Sequence, residues 1–550
     1  MNFRSTRACW AAPRCIASQS CRTAILNLLF FVALVAPVAS SQTAPPKSGG
    51  SSRLPGKTAR IVPPGAAPRL VVVLVIDQFR ADYLDRFRGS FEPQGFRRLL
   101  REGAVFRACF YPYAITETGP GHATLATGTT PDRHGIASNN WYDAEKKRSI
   151  YALEDESSPV VGGTPGRTPV SPRNLIGDTL SDELRLANHG RARVFGVALK
   201  DRAAILSTGH GASGAYWFDA KVPGFVTSKY YREALPDWVV DFNQKHPLPV
   251  PADQFPKTIE SSNLTVGFAE ALMEKENLGH GGSTDFLFIG LSANDYAGHA
   301  WGPYSDEVEK LTIETDHLLA TLLNYLDKSV GRGSYWLALS ADHGVAPTLA
   351  QSRDPGMARL VAKSIDSKTL ESAVSAALAA RWGAGEWLAK DEELFLNREL
   401  LAAKNVRLKD AVHLAGEAAL TVPGVAGYVS KWESHASRQI TQAYRAGYFP
   451  GRSPDLYIVP EPFALFDGEK GGTSHGTPYT YDTQVPLILF GAPFAPGDYY
   501  EPASPLDLAP TLAAALRIHP PALSTGRVLA EALRQGFTRV AAMAPPGNEN

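Results

Sequence analysis

The sequence predicts an α/β fold: a mostly parallel central sheet with helices on both faces, and an inserted α+β subdomain. Two patterns carry that expectation. Apolar runs without polar alternation recur along the chain, and helical periodicity lies between several of them. Strands alternating with helices give a parallel sheet covered on both sides. The first run, LVVVLVI from Leu70, is rich in β-branched residues and suits a central strand buried on both faces. VFGVAL (194–199), FLFIGLS (286–292), YWLALSA (335–341), DLYIVP (455–460) and VPLILFG (485–491) repeat the pattern. The clearest helix spans 305–327, with Val308, Leu311, Leu318, Leu319, Leu322 and Leu326 on one face. Ser305 is its expected N-cap, with Asp306 and Glu307 at the positive helix end. Residues 350–450 lack such strand runs and read as the inserted subdomain, between core segments 69–349 and 451–540 and ahead of a tail at 541–550.

With 550 residues, 44% apolar and 20% charged, the chain has the composition of a large globular protein. Wholesale disorder, a collagen-like repeat and a multi-span membrane protein are excluded. Lys+Arg and Asp+Glu are both 55, so no basic excess points to nucleic acid. The first forty residues differ from the rest. Arg4, Arg7, Arg14 and Arg22 come without an acid, then AILNLLFFVALVA (24–36) precedes small residues. That order describes a secretory signal peptide over 1–40. The apolar run is short for a span of ~20 residues. Its removal leaves a small acidic excess and Cys109 as the single cysteine, so no disulfide framework is expected. Residues 41–68, rich in Pro, Gly and Ser, read as a flexible linker. The mature chain is expected in the periplasm or outside the cell, without a membrane span.

Polar residues gather where the apolar runs end. Asp77 closes LVVVLVID, Asp295 and His299 follow FLFIGLSAN, Asp342 and His343 follow YWLALSA, and His475 precedes the run at 485. Ligand crevices of open α/β sheets lie at the carboxyl ends of strands. Three Asp and three His there call for cations, because buried unpaired carboxylates are costly. Oxygen and imidazole without thiolate suit Zn²⁺, or less selectively Mn²⁺, Fe or Co, and six ligands divide between two ions. Thr118, in TETGPGHATLAT, is placed just before a helix, after which its hydroxyl and a phosphate face the positive helix end. Thr116 is a rival nucleophile, and a metal has to lower the hydroxyl pKa for either to act. The other histidines, His122 and His134 among them, read as packing or surface residues.

This set resembles the alkaline phosphatase superfamily, and within it the threonine-nucleophile PafA type. The likeness covers nearly all of 70–535, including a closing SPLDLAPTLAAALRI…GRVLAEAL helix pattern. It implies an alkaline phosphatase-like fold, two Zn²⁺ per chain, and a monomer acting on phosphate monoesters. One zinc takes Asp295, His299 and His475; the other takes Asp77, Asp342, His343 and Thr118. An asparagine contacts the phosphoryl group; it falls in GIASNNWYD, where spacing favours Asn139 over Asn140. Lys200 and Arg202 supply the Lys-x-Arg pair. The implied reaction forms a covalent phospho-threonine on Thr118, with Asn139, Lys200 and Arg202 stabilising the non-bridging oxygens. Such cations favour a dianionic monoester over a monoanionic diester. The alternative is a nucleotide pyrophosphatase/phosphodiesterase of the same superfamily, for which Tyr216, Trp217 and Phe218 are pocket candidates. A non-catalytic, metal-stabilised binding protein is the reading from another class. The absence of a Cys/Ser-x-Pro-x-Arg segment argues against a sulfatase.

Overall fold

The structure, a computed structural model, describes residues 67–353, 363–389, 393–468 and 471–535. The expected signal peptide, nearly all of the linker and the tail lie outside the described residues.

Ten strands form the main sheet: β1 (Leu70–Ile76), β2 (Ala104–Phe106), β3 (Val160–Val161), β4 (Val194–Ala198), β5 (Gly214–Asp219), β6 (Gly224–Ser228), β7 (Asp285–Leu291), β8 (Tyr335–Ser340), β9 (Leu487–Phe490) and β10 (Gly497–Tyr499). Their spatial order is β10-β2-β9-β8-β1-β7-β4-β5-β6-β3. The five central strands, β8, β1, β7, β4 and β5, run parallel. Every residue of β1, β4, β7 and β8 is buried, as apolar runs without alternation require. Parallel strands end on one side, so residues that follow β1, β4, β7 and β8 share one edge of the sheet.

Two of the apolar runs depart from the expected pattern. β9 pairs antiparallel with β8. Burial on both faces fixes composition, not direction, so the run reads the same either way. The run at 456–460 leaves the main sheet and pairs antiparallel with 425–430. It belongs to a second hydrophobic cluster, which includes Ile365, Leu370, Val374, Trp387, Tyr428 and Leu456. Tyr216, Trp217 and Phe218 lie in β5, buried in the main core against Phe225, Phe255 and Phe268. They are core residues rather than a pocket lining.

Four helices position or brace the edge that matters. α1 spans Thr118–Thr127, α2 Asp201–Leu206, α3 Ala293–Trp301 and α4 Asp306–Leu326. In α4 the Ser305 hydroxyl accepts from the Val308 backbone N–H at 3.2 Å, and all six expected apolar residues are buried. The closing segment forms α5 (Leu508–Leu516), but GRVLAEAL contributes only a single turn at Ala530–Ala532. Among the described residues, no helix is long and apolar enough to cross a membrane.

Candidate active site

Asp77 follows β1, Lys200 follows β4, Asp295 and His299 lie on α3 after β7, and Asp342 and His343 follow β8. The common strand direction therefore brings four segments to one crevice. Asp295 and His299 stand four apart on α3, so they share a face. His475 arrives on a loop that packs on the same helix. The Thr473 N–H donates to the His299 carbonyl at 3.0 Å, and His299 Nδ1 donates back to the Thr473 carbonyl at 2.8 Å.

Thr118 is the first residue of α1, not the residue before it. Gly119, Pro120 and Gly121 form the first helical turn, where proline's missing N–H costs nothing. Lys200 Nζ lies 3.3 Å from Thr118 Oγ1, 2.7 Å from Asp295 Oδ2 and 3.2 Å from Asp77 Oδ2. Burial opposes the ammonium charge, but Asp295 and Asp77 hold the Lys200 pKa above the ordinary lysine value. Burial would also raise Asp77; Lys200 and then His122 bring it down to about 2. Thr116 offers its carbonyl to His475 Nδ1 at 2.7 Å, and its hydroxyl points to the Thr477 carbonyl at 3.4 Å. Thr118, not Thr116, is the threonine whose hydroxyl meets Lys200.

Of the two asparagines, Asn139 reaches the start of α1 beside Thr118. Its Oδ1 accepts the Gly119 N–H at 2.8 Å, whereas Asn140 is exposed at the start of a short hairpin strand. Glu117, which the sequence did not single out, accepts from the Asn139 N–H at 2.8 Å and the Ser138 hydroxyl at 3.0 Å. The two residues thus clamp the 138–139 segment to the start of α1. Arg202 is the second residue of α2, beside Tyr151, and its buried Nε has no hydrogen-bond partner.

Three imidazoles are oriented alike. His299, His343 and His475 direct Nδ1 at the carbonyls of Thr473, Gly344 and Thr116. A carbonyl only accepts, so Nδ1 carries the proton and Nε2 keeps its lone pair. Each Nε2 then points towards Asp295 Oδ1, at 3.5, 3.9 and 3.9 Å respectively. Burial lowers the His343 pKa to about 4 and pushes His475 well below the usual value, which keeps both rings neutral. Neutral imidazole with Nδ1 engaged is the form a metal requires. Asp342 Oδ2 and His343 Nε2 face each other at 3.4 Å, both buried and neither hydrogen-bonded. Two orphaned acceptors in contact fit a cation between them, and the donor set of carboxylate and imidazole fits zinc.

The ligand atoms fall into two groups, each within 4.8 Å: Asp295, His299 and His475, and Asp77, His122 and Asp342. The first holds the three residues that the resemblance assigns to one zinc. The second joins Asp77 and Asp342 to His122, which the sequence left among packing or surface residues, and not to His343. Its Nε2 lies 3.2 Å from Asp77 Oδ1 and 3.6 Å from Asp342 Oδ2, and Nδ1 meets the Ser207 hydroxyl at 3.2 Å. A hydroxyl can donate to Nδ1, so His122 can serve as donor to the carboxylates, unlike His343. The signal was available in the sequence: His122 stands four residues after Thr118, one helical turn along the same face.

With this geometry established, similarity to known proteins decides the family. Residues 71–483 match the type I phosphodiesterase / nucleotide pyrophosphatase family. Alkaline phosphatase PafA of Elizabethkingia meningoseptica is 32% identical over 521 residues, covering 85% of this chain and 94% of that protein. The chain belongs to the alkaline phosphatase superfamily, in its PafA type. Alkaline phosphatase PhoV of Synechococcus elongatus is likewise 32% identical, over 85% of this chain and 94% of that protein. The crystal structure of wild-type PafA matches with a TM-score of 0.80 at 32% identity, covering 85% of this chain and 99% of that one. A PafA variant substituted at one threonine, one asparagine, one lysine and one arginine gives 0.79 at 31% identity, with the same coverage.

Proposed function

We propose that this phosphatase of the alkaline phosphatase type is exported and hydrolyses phosphate monoesters through a phospho-Thr118 intermediate at a two-zinc site. The observation that carries the reading is the meeting of Thr118 Oγ1, Lys200 Nζ and two Asp/His groups at one edge of the sheet. Asp295, His299 and His475 would hold one ion; Asp77, Asp342, His343 and Thr118 would hold the other, with His122 beside its carboxylates as a hydrogen-bond donor. Such ions, when bound, supply the Lewis-acid charge that lowers the pKa of a hydroxyl and of a departing oxygen.

The chain's own groups do the rest. Thr118 Oγ1 loses its proton and forms a bond to phosphorus, while the bond from phosphorus to the ester oxygen breaks and the alcohol leaves. Water then attacks the same phosphorus, the bond to Oγ1 breaks, and inorganic phosphate departs as Thr118 regains its proton. Asn139 Oδ1 is engaged by the Gly119 N–H, so its NH₂ is the end left for a non-bridging oxygen. Lys200 is close enough to Thr118 to meet that phosphoryl group as a point charge, and Arg202 supplies a planar fork. In the PafA variant the substituted asparagine follows the threonine at the spacing that separates Asn139 from Thr118, and the lysine and arginine are spaced as Lys200 and Arg202. That correspondence supports the assignment.

The test is a trap of the intermediate. Zinc-loaded protein is acid-quenched during turnover of p-nitrophenyl phosphate, digested and sequenced by mass spectrometry. A phosphoryl group on Thr118 supports the reading. An unmodified Thr118 under conditions that trap a phosphoryl group elsewhere, or none in a burst experiment that shows covalent turnover, overturns it.

A further inference from the structure

Gln78 directly follows Asp77 and is wholly buried, yet its φ is 60°, in the left-handed region that side chains other than glycine rarely adopt. Such a conformation persists where the surroundings over-determine it, and functional sites are where it clusters. The turn it makes has two results. The Gln78 backbone N–H donates to Asp342 Oδ1 at 2.8 Å, and the side-chain Nε2 donates to Asp295 Oδ1 at 3.0 Å. A carboxylate only accepts, so the NH₂ end of the amide must face Asp295. The other end, Oε1, is buried without a partner. The side chain is therefore held by its donor end alone. α3 makes room for it: a Cβ on Gly298 would lie 1.8 Å from Gln78 Oε1. Asn294 Nδ2 fixes the turn from the same helix, donating to the Gln78 carbonyl at 3.0 Å.

We propose that Gln78 is a positioning residue for both ion sites. One residue donates to a carboxylate of each group, Asp342 in one and Asp295 in the other. Each contact occupies one lone pair of one oxygen and fixes the plane of the carboxylate. The remaining lone pairs are then aimed before any ion arrives, which is the service outer-shell partners render to metal ligands. The side-chain contact to Asp295 is the part that the substitutions below remove, because the backbone N–H to Asp342 is kept by every residue except proline.

This inference rests on the two-zinc reading, and the experiment separates them. Zinc affinity of the full mature chain is measured by chelator competition for wild type, Gln78→Gly and Gln78→Met. Glycine relieves the φ of 60° but removes the donor; methionine keeps the volume and also removes the donor. The expected result is two zinc ions in wild type, and in both variants a loss of about 10–100-fold in affinity, confined to one of the two ions. The melting temperature of metal-free Gln78→Gly should stay near wild type, so the loss is not one of folding. Wild-type zinc affinity in Gln78→Met, with or without a lowered melting temperature, would make Gln78 a packing residue and overturn the inference alone. A wild-type chain that binds no zinc would overturn the two-zinc reading and this inference with it.

Discussion

Gly121 stands in the first turn of α1 against the backbone that carries Asp342. A Cβ at Gly121 would lie 2.3 Å from the Asp342 carbonyl oxygen and 2.8 Å from its Cα. Favourable non-bonded separation is ~3.5 Å, so α1 and the end of β8 would have to part by roughly 1 Å. Neither side is a flexible side-chain tip. Overpacking of this kind costs about 1–3 kcal/mol, which a core of this size tolerates. The chemistry tolerates it less well. Thr118 is on the same helical turn and Asp342 is in the candidate ion site it faces, so the shift falls between the proposed nucleophile and a proposed ligand. A misplacement of ~1 Å can cost about 10²-fold in rate. Gly121→Ala is thus expected to lower kcat/KM for p-nitrophenyl phosphate about 100-fold while leaving the circular dichroism spectrum and a cooperative melt intact. Gly267→Ala, where a Cβ would meet nothing within 4 Å, is the control and should leave turnover unchanged. Wild-type kcat/KM in Gly121→Ala would show that this close approach does not set Thr118 against Asp342.

Three further predictions follow from the same geometry. Thr118→Ala should abolish monoester turnover while zinc content and melting temperature stay near wild type, measured on one preparation. Lys200→Ala with Arg202→Ala should lower monoesterase kcat/KM far more than diesterase kcat/KM; equal losses would remove the reason for tying the pair to a dianionic substrate. Asp482 is buried, and burial raises its pKa to about 7 even though Thr477 donates to Oδ2 from its N–H at 3.0 Å and its hydroxyl at 2.6 Å. Because the folded chain then binds a proton that the unfolded chain has released, stability should fall as pH rises from about 4 to about 7 and level off above. Asp482→Asn, which keeps an acceptor for Thr477, should flatten that part of the melting-temperature profile; an unchanged profile would show that Asp482 does not titrate there.

Much of this architecture is legible in the sequence because burial writes directly into composition. β1, β4, β7 and β8 are apolar throughout, and the polar residues just beyond them stand out by contrast. The sequence is silent on direction, so β9 and the strand at 456–460 read like the parallel ones. The site follows the same division. Asp77, Asp295, His299, Asp342 and His343 follow strands, and the parallel order gathers them. His122 is signalled only by its place one turn after Thr118, and Glu117 by nothing, because its meaning lies in where the 138–139 segment meets α1. Gln78 was passed over because a glutamine after a strand signals nothing until its backbone angle and its two carboxylate partners are known. Spacing favours Asn139 over Asn140, and in the structure it is the Asn139 Oδ1 that accepts the Gly119 N–H.

Lys200, Arg202 and Asn139 are proposed to shape this site for a dianionic phosphoryl group. The most direct measurement is paired kcat/KM of the zinc-loaded mature protein on p-nitrophenyl phosphate and bis-p-nitrophenyl phosphate. A preference of several orders of magnitude for the monoester is expected. A preference for the diester would contradict it, leaving Thr118 and the ion sites in place and assigning the chain a phosphodiesterase activity.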